Sequence, residues 1–86
     1  MANHLSAKKR IRQSKTRTIV NRTRRSEMRS QVRNVEEAIE SGDKAAATAA
    51  MTLATPALHR SSRKGLVHRN AAARKISRLT KSINAL

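Results

Sequence analysis

Residues 1–26 carry nine Lys and Arg and no acid. Wound as a helix at about 100° per residue, Lys8, Arg12, Lys15 and Arg22 fall within about 40° of one direction. Arg10, Arg17 and Arg24 fall at about 160–200° from it. A helix that is polar all round has no face to pack on its own protein, so it must project into solvent or into a partner. Whatever core this chain builds therefore comes from the remaining residues. All five acids, Glu27, Glu36, Glu37, Glu40 and Asp43, lie between positions 27 and 43, against 20 Lys and Arg in the chain, a net charge of +15. A chain this basic repels itself when compact and calls for a polyanionic partner.

The core is thin. Leu, Ile and Val together number 15 of 86 residues, and there is no Phe, Trp or Tyr. That is below the one-fifth level at which highly charged chains are often disordered, so a large buried pocket and an autonomous enzyme are not expected. The absence of Cys excludes a disulfide framework and thiolate chemistry. The longest charge-free stretch, 45–59, is rich in Ala and Thr and interrupted by Pro56, too short and too weakly apolar to span a membrane. Residues 1–26 have the Arg- and Ser-rich, acid-free composition of a transit peptide. Residues 44–86 share that lack of acids, so the bias belongs to the whole chain, and a protein that stays in its compartment of synthesis is expected.

Helix formers dominate and two places punctuate them. Ser41-Gly42-Asp43 supplies a helix stop followed by an Asp N-cap, and Lys64-Gly65-Leu66 repeats the stop, with Asn70 as the next N-cap. Three helices are predicted, over 6–41, 44–63 and 71–85: an all-α, three-helix bundle with a long basic N-terminal helix projecting from it. One domain of residues 1–86 is expected, divided into an arm (1–26) and a bundle (27–86). In the first helix the apolar stripe starts only at Met28 and continues through Val32, Val35 and Ile39, with Arg29 and Arg33 opposite. In the second, Ala46, Ala50, Leu53 and Ala57 step by helical spacing, and Pro56 should bend the helix without breaking it. In the third, Ala72, Ile76, Leu79, Ile83 and Leu86 make one stripe, with Arg74, Arg78 and Lys81 on the other side.

The basic arm is the strongest chemical signal. Arg outnumbers Lys thirteen to seven, and the planar guanidinium suits bidentate phosphate contact. The absence of aromatic residues argues against base-stacking platforms, so recognition should rest on backbone geometry. Charge on two opposed sides fits a crevice between packed RNA helices better than one face of a duplex. A leucine-zipper arrangement fails because the stripe from Met28 to Ile39 covers under two heptads before Gly42. A membrane-surface helix would need large apolar residues opposite the basic face, and Leu5, Ile11, Ile19 and Val20 are scattered. His4, His59 and His68 lie in separate segments without co-ligands, so no metal and no cofactor are expected. The acids are read as solubility and intrahelical pairing residues, and the Met residues as gap-fillers.

Met1-Ala2-Asn3, Ser6-Ala7-Lys8-Lys9-Arg10 with Gln13-Ser14, Arg24-Arg25-Ser26, and Ala38-Ile39 leading to Gly42-Asp43-Lys44-Ala45 form an ordered set of short motifs. The most specific piece is Lys64-Gly65-Leu66-Val67-His68-Arg69-Asn70, followed by Ala72-Ala73-Arg74. In order and over the whole length, the chain resembles the bacterial small-subunit ribosomal protein S20 family. The resemblance implies a non-enzymatic structural component of the cytoplasmic ribosome. It implies binding of small-subunit ribosomal RNA, at the 5′ domain and the long penultimate stem of the 3′ minor domain, early in assembly. Other small-subunit components are further partners, with no membrane and no small-molecule substrate. The family's basic first-helix positions fall on Lys8, Lys9, Arg10, Gln13 and Arg25, and its loop on Lys64, His68 and Asn70. Together with the helical stripes, the expected RNA-binding set adds Arg12, Lys15, Arg17, Arg22, Arg24, Arg29, Arg69, Arg74 and Arg78. The second helix is richer in Ala and Thr, and the chain richer in Arg, than the family pattern. The competing expectation is a non-specific DNA-compacting protein of nucleoid type.

Overall fold

A computed structural model of the chain describes residues 2–86, with side chains from Leu5 onward. Met1 and the side chain of His4 lie outside the described residues. Three helices, α1 (Ala2–Glu40), α2 (Lys44–Arg63) and α3 (Arg69–Asn84), follow in order, and no strand occurs among the described residues. The fold is the three-helix arrangement with a long first helix that the spacing predicts.

Each helix boundary has a local cause. At the end of α1, Gly42 adopts φ 77°. The Gly42 amide donates to the Ile39 carbonyl at 3.0 Å and the Asp43 amide to the Ala38 carbonyl at 3.2 Å. This double bond is the Schellman motif, which satisfies carbonyls that the ending helix leaves unpaired. Asp43 then caps α2, its carboxylate accepting from the Ala46 amide at 3.0 Å. The same stop recurs after α2. Gly65 has φ 76°, its amide donates to Ser62 at 3.1 Å, and the Leu66 amide donates to Ser61 at 2.9 Å. The α3 cap differs from expectation: it is His68, whose Nδ1 accepts from the Asn70 amide at 3.1 Å. Asn70 lies inside the first turn. A neutral imidazole offers one acceptor nitrogen, enough to do the work usually done by Asp or Ser. α2 runs unbroken through Pro56, which is exposed. The Thr52 carbonyl that Pro56 cannot serve is thus on the water side.

α2 folds back along the rear of α1 and is also the main support of α3. The core is Val35 from α1, Ala47 and Ala54 from α2, and Leu79 and Ile83 from α3, with Val32, Ala38, Ile39, Ala50 and Met51 packed around them. Small side chains on α2 let the helices approach closely, which is how a chain with so few large aliphatics closes a core. The α1 stripe is confirmed. The α2 stripe is shifted: Ala47, Ala54, Ala57, Leu58 and Ser61 are buried, Ala46 is exposed and Leu53 is 60% exposed. Met51 and Leu58, seven residues apart on one face, determine the register; Ala alone could not. On α3, Ala72, Leu79 and Ile83 are buried, but Ile76 is half-buried and Leu86, past the helix end, is 42% exposed.

α3 meets α1 only along a narrow edge, which includes the ion pair between Lys75 Nζ and Glu36 Oε1 at 2.6 Å. It is the one ion pair among the described residues, and it ties two helices together where the sequence suggested pairing within α1. The molecule extends 64 × 21 × 15 Å, a length set by the part of α1 that no other helix covers.

Candidate nucleic-acid interface

Every described side chain from residue 5 to residue 20 is exposed. The physical reason is the one legible in sequence: Arg10, Arg17 and Arg24 occupy the angular position that Met28, Val32 and Val35 occupy further along. α2 cannot continue along α1 over guanidinium groups that would lose their water. It ends at Arg63, and its last turn brings Arg60 and the capping Lys64 to Arg24. The arm backbone is closed on itself, with three threonine hydroxyls turned back onto carbonyls: Thr16 to Arg12 at 3.0 Å, Thr18 to Ser14 at 2.8 Å and Thr23 to Ile19 at 3.0 Å. The hydroxyls are thus occupied, and the charged groups are left as the arm's principal free donors.

The structure gathers part of the expected set into surfaces. Arg22, Arg25 and Arg29 share a shallow face of α1 with Thr18, Ser26 and Ser30. Arg33 belongs to the same face and was absent from the expected set, although its spacing of four from Arg29 marks it. On another side, Lys9, Arg12, Gln13 and Arg17 surround Thr16. A third depression holds Arg10 and Lys15 with Ile11 and Ile19. Basic groups thus surround the arm, and none is paired with an acid among the described residues.

Arg24 and Lys64 come together where the arm leaves the bundle, joined by Arg60, which sequence reasoning passed over. Lys64, His68, Arg69 and Asn70 are all exposed in and just after the α2–α3 turn. Because His68 Nδ1 accepts a hydrogen bond, the neutral ring carries its proton on Nε2, which leaves a donor on its outer edge. Arg74 folds back along α3, its Nε donating to the Asn70 carbonyl at 3.3 Å, while Arg78 is exposed on the same helix. The α3 residues meet α1 behind the arm, where Ala71, Ala72 and Lys75 face Met28, Arg29 and Val32. The arrangement offers separated rows of cationic donors and suits a polyanion that passes several sides of the protein. His59 and His68 are apart, and no group of three or more metal-ligating side chains occurs among the described residues. No helix among them is long and apolar enough to cross a membrane.

Comparison with known proteins gives a consistent result. The family model for ribosomal protein S20 matches residues 2–84. The chain is 55% identical over 86 residues to the small ribosomal subunit protein bS20 of Beijerinckia indica, covering 100% of this chain and 99% of that relative. It is 54% identical to the protein of the same name from Methylocella silvestris and 56% identical to that from Sinorhizobium fredii, each over 86 residues, 100% of this chain and 98% of the relative.

Proposed function

The chain belongs to the ribosomal protein S20 family, and from that premise we propose that it binds small-subunit ribosomal RNA directly, through the arm and one end of the bundle. It is a structural ribosomal protein of the small subunit, not an enzyme. Its finer role is to hold RNA segments of the 5′ domain and the 3′ minor domain in one arrangement during assembly. Functionally the single domain divides near residue 26, into an arm that inserts and a bundle that anchors. The contacting residues are those of the expected set, with Arg33 and Arg60 added on geometry.

One observation carries this reading. The arm is exposed on every side, cationic in opposed directions, and free of acids. A single duplex surface uses one side of such a helix; a passage between RNA helices uses all of them. Because the contacts are to phosphate, affinity should be salt-dependent. With roughly 8–12 neutralised phosphates, log K against log salt should have a slope near −7 to −10. The test is competition between isolated small-subunit RNA and duplex DNA of equal length for the purified chain. A strong preference for the RNA is expected. Equal binding to both would instead favour a DNA-compacting, shape-blind protein.

A further inference from the structure

Among its cations the arm also carries aliphatic side chains that no other helix covers: Ile11 is 55% exposed and Ile19 63%. Spacing alone scatters them, but on the folded helix both line one shallow depression with Ser14 and Thr18. The Thr18 hydroxyl is turned onto the Ser14 carbonyl at 2.8 Å, which leaves its methyl group as the outward part of the side chain. With Lys8 as zero, Ile11, Ser14 and Thr18 fall at about 240–300° around the helix, in the gap between the two basic rows. Between residues 8 and 24 no Lys or Arg falls in that sector. Arg10, from one row, and Lys15, from the other, stand at its edges. The strip is thus apolar along its middle and cationic on both borders. Single exposed aliphatics are ordinary; a strip of methyl groups framed by both rows is a patterned surface. Helix propensity is not its cause. Five of residues 16–23, Thr16, Thr18, Ile19, Val20 and Thr23, are β-branched, and such residues weaken an uncovered helix.

We propose that this strip lies in the shallow groove of a ribosomal RNA helix, with Ile11, Ile19 and the Thr18 methyl against ribose, and with Arg10 and Lys15 reaching the phosphates of the two strands that edge the groove. The inference rests on the RNA-binding reading above and adds to it which face of the arm meets which groove. Phosphate alone does not account for the strip: methyl groups give an anion nothing, and the Thr18 hydroxyl that could have donated is turned inward. The partner must carry a less polar surface between two rows of negative charge. The minor groove of A-form RNA does so, being wide and shallow and lined by riboses and base edges between its two backbones. A helix about 10–12 Å across with its side chains cannot enter the minor groove of B-DNA, about 6 Å wide. The B-DNA major groove admits a helix but presents chiefly hydrogen-bonding base edges, for which the strip offers only Ser14. The strip therefore separates RNA from DNA without reading a base and without the aromatic residues that the chain lacks. The other cations of the arm are left for RNA on its remaining sides.

The test uses the full chain. Ile11→Gln/Ile19→Gln keeps every charge and puts a residue of equal or better helix propensity at both positions, so bundle and arm should keep their helical content. Affinity for isolated small-subunit RNA should fall about tenfold through lost apolar contact, with the salt slope unchanged because no cation is lost. Affinity for duplex DNA should stay as it is. The wild type's preference for the RNA over that DNA, measured alongside, tests the broader reading. Without that preference both readings fall; a wild type that prefers the RNA and a variant that equals it overturn the groove site alone. Hydroxyl-radical footprinting of the wild-type complex reads the geometry independently of the variant's folding. A helix seated in the shallow groove should shield riboses on both strands of one RNA helix, and the variant at saturation should lose that shielding. Protection confined to one strand, or identical in the variant, overturns the proposal. So does a variant that loses binding to phosphatidylglycerol vesicles and none to RNA, which would make the strip a membrane-facing surface.

Discussion

Two triple substitutions separate two-sided from one-sided binding. Arg10→Ala/Arg17→Ala/Arg24→Ala strips one direction of the arm, and Lys8→Ala/Arg12→Ala/Lys15→Ala removes three of the four cations facing the opposite way. None of these side chains is buried, and Ala is the better helix former, so the bundle and the helical arm should survive both changes. Each phosphate contact contributes about 0.9 to the logarithmic salt slope on a duplex. Three lost contacts therefore lower the slope by about 2–3 units. Extrapolated from 1 M, they reduce affinity at 0.1 M salt by about 500-fold, or about 3.7 kcal/mol. If both sides engage phosphate, each triple variant shows this loss on small-subunit RNA. The assay is equilibrium binding of labelled RNA at four or five salt concentrations, with a simple RNA duplex as the control. On the duplex there is no two-sided site, and the variants should lose little selective advantage. One triple variant that binds ribosomal RNA like the wild type would refute the two-sided argument.

Other consequences follow from the packing. Leu79→Ala removes a side chain only 5% exposed and should cost about 2–4 kcal/mol, whereas Leu53→Ala, 60% exposed on α2, should change stability by less than about 0.5 kcal/mol; reversed costs in thermal unfolding would mean the α2 register is wrong. Gly65→Ala meets no atom within 4 Å but must hold φ at 76°, so it should destabilise by about 1 kcal/mol through backbone strain alone. Glu36→Gln breaks a half-exposed ion pair with Lys75 and should cost under about 1 kcal/mol, less in high salt. Residues 6–26 have almost no tertiary packing to protect them, Arg24 beside Arg60 and Lys64 being the exception, and isolated helix is marginal in water. Their amides should exchange far faster than those of residues 28–39 in free protein and slow when RNA is added; full protection in the free protein would contradict this.

Much of the fold was legible because its determinants are local. Both glycine stops and the Asp43 cap act within five residues, and the α1 stripe starts where Arg gives way to Met28. What escaped depends on choices among equals or on distant partners. α2 contains Ala at so many positions that several helical stripes fit, and only the partners of Met51 and Leu58 on other helices decide between them. Asn is a common cap, so the sequence points to Asn70 for α3, whereas the geometry uses a ring nitrogen of His68 two residues earlier. Glu36 has basic neighbours on its own helix and pairs with Lys75 instead, 39 residues away. The basic rows of the arm were readable from spacing alone. The meeting of Arg24 with Arg60 and Lys64 was not, since they come together only when α2 doubles back on α1.

The elongated outline acquires another meaning when combined with the order of charges. Lys8, Lys9, Arg10 and Arg12 sit toward the N-terminal end of α1 with no acid near them, while Glu36, Glu37, Glu40 and Asp43 sit toward the other end, where they offset Lys44 and the basic residues of α3, in a molecule 64 Å long. The dipole of α1 adds a positive partial charge at the same end. The protein is thus a polarised needle with a large electric moment along its axis. In the field of a polyanion it experiences a torque as well as an attraction, and over the last Debye length of approach it turns tip-first. Orientation is resolved before contact, so fewer collisions are wasted on the end where charges nearly cancel.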